Sequence, residues 1–310
     1  GACTVGPDYQ RPDLPMAAEF KQAEGWKAAA PADVLQRGDW WALYGDVELN
    51  ALVARLNVSN QNLAAAEAQY RQARALVRGA RSQLFPVLGA SGGVTRGGQG
   101  SSGNSSSSEY IGSSSGVSES YEIGLDASWE LDIWGRLRRN LEANRASMQA
   151  SAADLAAVRL SLQSELVQTY LQLRVMDEQQ RLLDQSVEAF ARSLRLTENQ
   201  YQAGIVPKSD VSQAMTQLKS TQAQAIDLQW QRAQMEHAIA VLIGVPPSEL
   251  NIAERSDIPQ LPEMPLALPS QLLERRPDIA SAERQVIAPN AQIGVAEAAW
   301  YPGLTLGASG

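Results

Sequence analysis

The stretch Ser118-Glu-Ser-Tyr-Glu-Ile-Gly-Leu-Asp-Ala-Ser-Trp-Glu-Leu-Asp-Ile-Trp-Gly-Arg136 decides the reading of this chain. Tyr121, Ile123, Leu125, Ala127, Trp129, Leu131 and Ile133 take the odd positions, and Glu122, Gly124, Asp126, Ser128, Glu130 and Asp132 the even ones. Successive side chains of a strand point to opposite faces, so this is a strand with one apolar and one acidic face. A few residues later the chain enters a long, proline-free stretch of helical pattern. A fold is needed in which a two-faced strand runs directly into such a helix.

On its N-terminal side, residues 96–118 are dominated by Gly and Ser, with Tyr110 and Ile111 as bulky interruptions. Such a segment cannot bury a core and reads as a long solvated loop. Val87–Thr95 before it is short and strand-like, so 84–134 is expected to be a β-hairpin with an oversized loop.

On the other side, 139–202 contains no proline. Leu155, Leu162, Met176, Leu183 and Phe190 form one heptad row, and Leu166, Leu173, Val187, Leu194 and Tyr201 a second; Thr169 and Gln180 interrupt them. At 1.5 Å per residue the helix would be about 95 Å long. Gly204-Ile205-Val206-Pro207-Lys208-Ser209-Asp210 breaks it, with Ser209 or Asp210 expected to cap a return helix from about 210 to 243. Val211, Leu218, Ala225 and Ala214, Thr221, Leu228, Met235, Leu242 continue the heptad spacing, which implies an antiparallel hairpin of coiled-coil character.

Upstream, residues 4–38 are rich in Pro, Ala and charge and read as an extended surface arm. Trp40 and Trp41 open a helix carrying Leu49, Leu52, Val53 and Leu56; they serve as packing anchors or, alternatively, as a ligand-stacking pair. A second helix is expected from Ser59 to Gln83. Downstream, setting Pro302 against Pro86 gives an offset of 216 at which Ala64, Ala66, Glu67, Gln69, Ala75, Ala80 and Leu88 match Ala280, Ala282, Glu283, Gln285, Ala291, Ala296 and Leu304. This is an internal repeat of helix, proline and strand. Pro289 falls inside its second helix, where the first copy has Ala73, and a kink is expected there.

Composition narrows the function. Aromatics are 6% of the 310 residues and the formal charge is −8, with no clustered basic face read from the pattern, so nucleic acid is an improbable partner. No apolar run suffices for a transmembrane helix, so any membrane crossing must use strands. The single cysteine, Cys3, excludes an internal disulfide, and Gly1-Ala2-Cys3-Thr4 looks like the site of a bacterial lipoprotein anchor; the alternative is an ordinary free cysteine. The one histidine, His237, has no carboxylate or cysteine at ligand spacing, and no nucleophile set, phosphate loop or dinucleotide fingerprint is present. Neither enzyme activity nor a metal is expected.

Together these features resemble the TolC-type outer-membrane efflux channels, lipoprotein branch. The resemblance is carried by Cys3 with Gly6-Pro7-Asp8-Tyr9, Trp40-Trp41 with Asp46, Leu49 and Leu52, and the Leu63–Pro86 segment. Trp129-Glu130-Leu131-Asp132 with Trp134-Gly135, Tyr201 and Gly204 with Asp210-Val211, and Leu273-Glu-Arg-Arg-Pro-Asp278 complete it. The fold so implied is mainly α with a transmembrane β part: coiled-coil-like helices of a periplasmic α-barrel and strands of a β-barrel shared by a homotrimer.

Six segments follow: a lipid-anchored arm (1–38), equatorial and first barrel helices (39–83), a transmembrane hairpin (84–134), a periplasmic helical hairpin (135–244), a Pro-rich connector (245–270) and the start of a second repeat (271–310). The implied function is a passive exit duct for drugs, metals or other small molecules, fed by an inner-membrane pump through a periplasmic adapter. A type I secretion duct and a periplasmic coiled-coil adapter or scaffold are the alternatives. The apolar strand face would meet outer-membrane lipid, with Trp129 and Trp134 near its interface, and Glu122, Asp126, Glu130 and Asp132 would line the lumen. Gly204, Ile205, Val206, Pro207, Ser209 and Asp210 would contact the adapter. No cofactor is expected beyond a covalent lipid on Cys3.

Overall fold

The computed structural model describes residues 4–11, 38–98, 117–259 and 276–310. Cys3, most of the N-terminal arm, the centre of the Gly/Ser-rich loop, much of the Pro-rich connector and Leu273–Arg275 lie outside the described residues. In chain order the elements are a 3-10 turn (Trp40–Tyr44), α1 (Val47–Ser59), α2 (Gln61–Ser82), β1 (Val87–Gly98), β2 (Val117–Leu131), α3 (Arg136–Gln202), α4 (Lys208–Leu242), a 3-10 turn (Pro247–Glu249), α5 (Pro277–Ala298) and β3 (Leu304–Ser309). α2 and α5 stand 216 residues apart at both ends, the offset of the sequence repeat.

Contacts divide the chain into two units, Gly1–Leu14 with Gln72–Met148 and Arg284–Gly310, and Pro15–Arg71 with Gln149–Glu283. This division differs from the six sequence segments. Segment boundaries follow changes of periodicity, whereas contacts follow which elements lie side by side.

The first unit holds an antiparallel sheet in the order β1-β2-β3. β1 runs against β2 from Val87↔Ser128 to Gly98↔Val117, and β3 lies on the other side from Leu131↔Leu304 to Asp126↔Ser309. β2 stops at Leu131, two residues short of the alternating pattern, because Asp132 turns to the helix that follows. Its carboxylate accepts the backbone N–H groups of Leu137 (3.0 Å) and Arg138 (2.9 Å), capping the first turn of α3. Buried positions here are mostly small or aliphatic (Ala80, Leu137, Leu141, Ala143, Ala146, Ala291, Ala298), which lets helices approach closely.

The N-terminal residues form a strap in this unit. Val5 N–H donates to the Trp134 carbonyl (3.1 Å). The buried Arg139 guanidinium donates to the carbonyls of Val5 and Gly6 and pairs with Asp8 and Glu142. Asn290 of α5 donates to the Pro7 carbonyl (3.2 Å). Pro289, where a kink is expected, lies inside α5. The helix runs through it, with the proline exposed and Ala291 buried beyond.

The second unit carries the main core, where Leu49, Leu52, Val53 and Leu56 of α1 meet Leu162, Leu166, Val167, Tyr170 and Leu173 of α3 and Ile239, Ala240 and Leu242 of α4. Their spacing on α1 places all four on one face. Trp41 is in this core and Trp40 packs against it, edge-on at 5.9 Å. The break between the first helices falls at Asn60, which bonds the Leu242 carbonyl (2.7 Å) and accepts Leu63 N–H (2.9 Å). Gly244, at φ 70°, ends α4 so close to Ser59 that a Cβ would stand 2.5 Å from its carbonyl oxygen. The heptad rows are buried around Leu162–Leu173 and only half-buried at Leu183, Val187, Phe190 and Leu194 nearer the hairpin turn.

Candidate functional site

β2 keeps the two faces of its sequence. On the odd face Tyr121, Ile123 and Leu125 are 73%, 87% and 64% exposed, an unusual state for apolar side chains in the middle of a sheet. β2 has 15 residues and β1 12, each long enough for a bilayer-crossing strand. Beyond Tyr121 this face turns polar: Glu119 accepts from the Tyr121 hydroxyl (3.2 Å) and pairs with Arg96 across the hairpin (3.3 Å).

The acidic face is not uniform. Glu122 and Asp126 are exposed, and the Asp126 carboxylate lies over Gly89, where a Cβ would come within 2.4 Å of it. Glu130 accepts from Nε and Nη2 of Arg136, and Asp132 from the α3 backbone and Arg138. Two of the four carboxylates are therefore neutralised at the strand–helix junction. The indoles are also engaged: Trp129 Nε1 donates to the Leu84 carbonyl and Trp134 Nε1 to the Pro302 carbonyl, both at 3.1 Å. The aromatics left open beside them are Phe85 (58% exposed) and Trp300 (90%).

At the hairpin turn, Gly204 takes φ 74°, Ile205 N–H bonds the Gln200 carbonyl (2.8 Å) and Gly204 N–H that of Tyr201 (2.9 Å). This is a Schellman ending, for which glycine is the unstrained residue. Ile205 is 71% exposed, Val206 half-buried, and Pro207, Ser209 and Asp210 exposed. The expected cap is corrected: α4 starts at Lys208 with Pro207 before it and no side-chain cap, and Ser209 Oγ donates instead to Asp210. Asp210 sits inside the first turn, where it faces the helix dipole without closing it.

A buried polar knot went unread in the sequence. Asp46 caps α1 through Glu48 and Leu49 N–H and, with its other oxygen, accepts from the Tyr170 hydroxyl (2.9 Å) and Arg255 (2.7 Å). Arg174, with no exposed side-chain surface, bonds Asp177 (2.8 Å), the Ala253 carbonyl (2.8 Å) and Glu48. Arg232 joins Asp177 (2.6 Å), Glu236 (2.9 Å) and the Ile252 carbonyl (2.7 Å). Burial opposes the charge on Asp46, but donors from Leu49, Tyr170 and Arg255 together hold its pKa below the ordinary value. Burial, more than any neighbour, pushes the Tyr170 phenol up. Arg174 with Asp177, and Arg232 with Glu236, are local pairs on single helices; the links between helices, and Arg255, arrive by tertiary packing. The knot fastens 252–255 to α1, α3 and α4.

No basic cluster shows along the chain, yet α2 places Arg74, Arg78 and Arg81 at spacings of four and three, on one face. All three are exposed, and none makes an ion pair among the described residues. Helical spacing hid this face because neutral residues separate the arginines along the chain. Among the described residues no three His, Cys, Asp or Glu side chains converge to hold a metal, and no helix is long and apolar enough to cross a membrane. His237 is exposed.

The profile of the outer membrane efflux protein family matches residues 52–245 and 268–310. The chain belongs to this family. Among relatives, it is 35% identical to the pyoverdine export outer membrane protein OpmQ of Pseudomonas aeruginosa, over 100% of this chain and 64% of that protein. It is 30% identical to the cation efflux system protein CusC of Escherichia coli, over 98% of this chain and 64% of that one. The outer-membrane channel OprN superposes with a TM-score of 0.80 at 33% identity, over 98% of this chain and 66% of its own. The chain thus spans about two thirds of the length of the relatives it matches. Its fold is that of the family's outer-membrane channels, with helices of an α-barrel and part of a β-barrel.

Proposed function

We propose that the chain is a subunit of a trimeric outer-membrane exit duct, serving small molecules handed on by an inner-membrane pump through a periplasmic adapter. The observation that carries this reading is the passage from β2 to the 67-residue α3 with only Asp132–Gly135 between them. A strand with an exposed apolar face suits lipid on one side and water on the other. A helix that begins at its foot suits a conduit continuing into the periplasm. Among the described residues the sheet β1-β2-β3 has two open edges, and unpaired backbone groups in lipid cost several kcal/mol each, so closure by further strands is required. Strands from other subunits meet that need.

In this reading Glu122 and Asp126 supply the free negative charge of the lumen, while Glu130 and Asp132 line it as paired groups. Gly204, Ile205, Val206, Pro207, Ser209 and Asp210 form the adapter contact, with Ile205 as its exposed apolar point. A lipid on Cys3 anchors the arm, consistent with a relative named a probable outer membrane lipoprotein, SilC of Salmonella typhimurium, at 30% identity. Protein secretion is the weaker alternative, since the relatives are named for pyoverdine, toluene and cation efflux. A periplasmic scaffold would have no use for a membrane-length two-faced strand.

Cysteine substitution along β2 of the full-length protein in cells tests the arrangement. Cysteines at Glu122, Gly124 and Ser128 should react with a charged thiol reagent, and cysteines at Ile123, Leu125 and Ala127 should be shielded. Equal labelling of both faces would contradict the reading.

A further inference from the structure

The repeat offset places Arg74, Arg78 and Arg81 of α2 opposite Asn290, Gly294 and Glu297 of α5. On α5 this face is occupied by the strap. Asn290 bonds the Pro7 carbonyl, and a Cβ at Gly294 would stand 2.8 Å from the Val5 carbonyl oxygen. On α2 the same face is exposed and carries three guanidinium groups in place of a strap. It lies directly below the sheet: Arg81 is in the last turn of α2, Phe85 is 58% exposed, and Val87 and Leu88 at the foot of β1 are 62% and 80% exposed. Cationic and aromatic side chains bordering an apolar strand face are the chemistry of a membrane boundary.

We infer that this face docks the phosphate groups of anionic phospholipid in the leaflet where the strands end, and the inference rests on the outer-membrane reading above. In a chain of net charge −8, a concentration of positive charge with no ion pair among the described residues selects anionic over zwitterionic headgroups. Depth grades the three positions. Arg78 lies about 4.5 Å below Arg81 and Arg74 about 10 Å below it along the helix. Arg81 and Arg78 therefore reach the phosphates through their flexible stems, while Arg74 acts through its field.

The test is native mass spectrometry of the full-length protein with added phosphatidylglycerol or phosphatidylcholine, comparing wild type with Arg81→Gln, Arg78→Gln and Arg74→Gln. Wild type should retain phosphatidylglycerol preferentially. Removing Arg81 or Arg78 should lower that retention about fivefold each, and removing Arg74 less. Unchanged retention in the Arg78→Gln/Arg81→Gln variant would overturn the inference. So would equal displacement by millimolar inorganic phosphate, which would indicate a free-anion site. Dissociation of the oligomer with lipid retention intact would overturn it too, and assign the face to an acidic neighbour. Ion conductance of the variants should be unchanged, so a protein that retains lipid but never conducts would sink the duct reading alone.

Discussion

Trp134, at the end of the first repeat's strand, stacks on Tyr301, at the start of the second repeat's strand, with ring centroids 4.6 Å apart and planes 23° from parallel. The indole N–H is spent on the neighbouring Pro302 carbonyl. One side chain thus fixes the separation between two strand–helix junctions by stacking and by a hydrogen bond. Trp134→Ala should destabilise the fold by about 1–3 kcal/mol, mainly from lost aromatic packing, since water can bond the exposed Pro302 carbonyl. Trp134→Phe retains the stack and should cost about 1 kcal/mol. Denaturant titration of both variants checks the difference.

The strap makes a sharper demand on its glycines. Gly6 has φ 94°, and a Cβ there would stand 2.4 Å from the Gly294 Cα. Both features exclude a side chain, so Gly6→Ala should release the segment even though alanine is otherwise benign. Hydrogen exchange at the Val5 amide, which bonds Trp134, should accelerate at least about tenfold, the equivalent of about 1.4 kcal/mol. Gly303→Ala is the control, because its φ lies outside the left-handed range and nothing lies within 4 Å of its added Cβ.

Arg174 has no exposed side-chain surface, and its partners reach it from α1, α3 and the segment after α4. Arg174→Ala strands Glu48 and part of Asp177, at an expected cost of about 3–5 kcal/mol. Arg255→Ala should cost much less, since that side chain is about a third exposed. Thermal unfolding of the two variants, side by side, separates the fully buried arginine of the knot from its partly exposed one.

The knot also gives stability a pH dependence with two limbs. The folded pKa of Asp46 is lowered, so its contribution is complete above the unfolded value near ~3.9 and is lost as pH falls through the folded value. The folded pKa of Tyr170 is raised, so its contribution is complete below about pH 10 and declines as pH rises past it. Asp46→Asn, which preserves capping, should flatten the acid limb and cost about 1–3 kcal/mol at neutral pH. Tyr170→Phe should flatten the alkaline limb. Unfolding temperatures across pH 3–11 would show both.

Much of this architecture was open to reading from the chain because its periodicities are long and clean. Alternation over Tyr121–Leu131 could only be a strand, and heptads over Leu155–Tyr201 only a long helix. The 216-residue offset located α5 and β3 from α2 and β1. What escaped was tertiary. Asp132 looked like one more residue of the acidic face, but it caps α3, because a helix end starved of acceptors outbids solvent. Ser209 and Asp210 looked like caps, yet helix α4 begins one residue too early for either to reach back. The knot could not be found from spacing, since Asp46, Arg174, Arg232 and Arg255 share no period and meet only when α1, α3 and α4 pack.

The free charge on β2 should be functional if water fills the lumen beside it. With Glu130 and Asp132 paired, Glu122→Gln and Asp126→Asn together should remove most of any cation preference, whereas Glu130→Gln should change it little. Reversal potentials under a KCl gradient measure this.

The most direct measurement is the conductance of the full-length protein reconstituted in planar lipid bilayers. An exit duct predicts discrete, reproducible current steps that require the assembled trimer and vanish when Ile123 and Leu125 are both replaced by Asp on the lipid face. A folded, membrane-inserted protein that leaves the bilayer electrically silent, even under conditions that open its relatives, would contradict it.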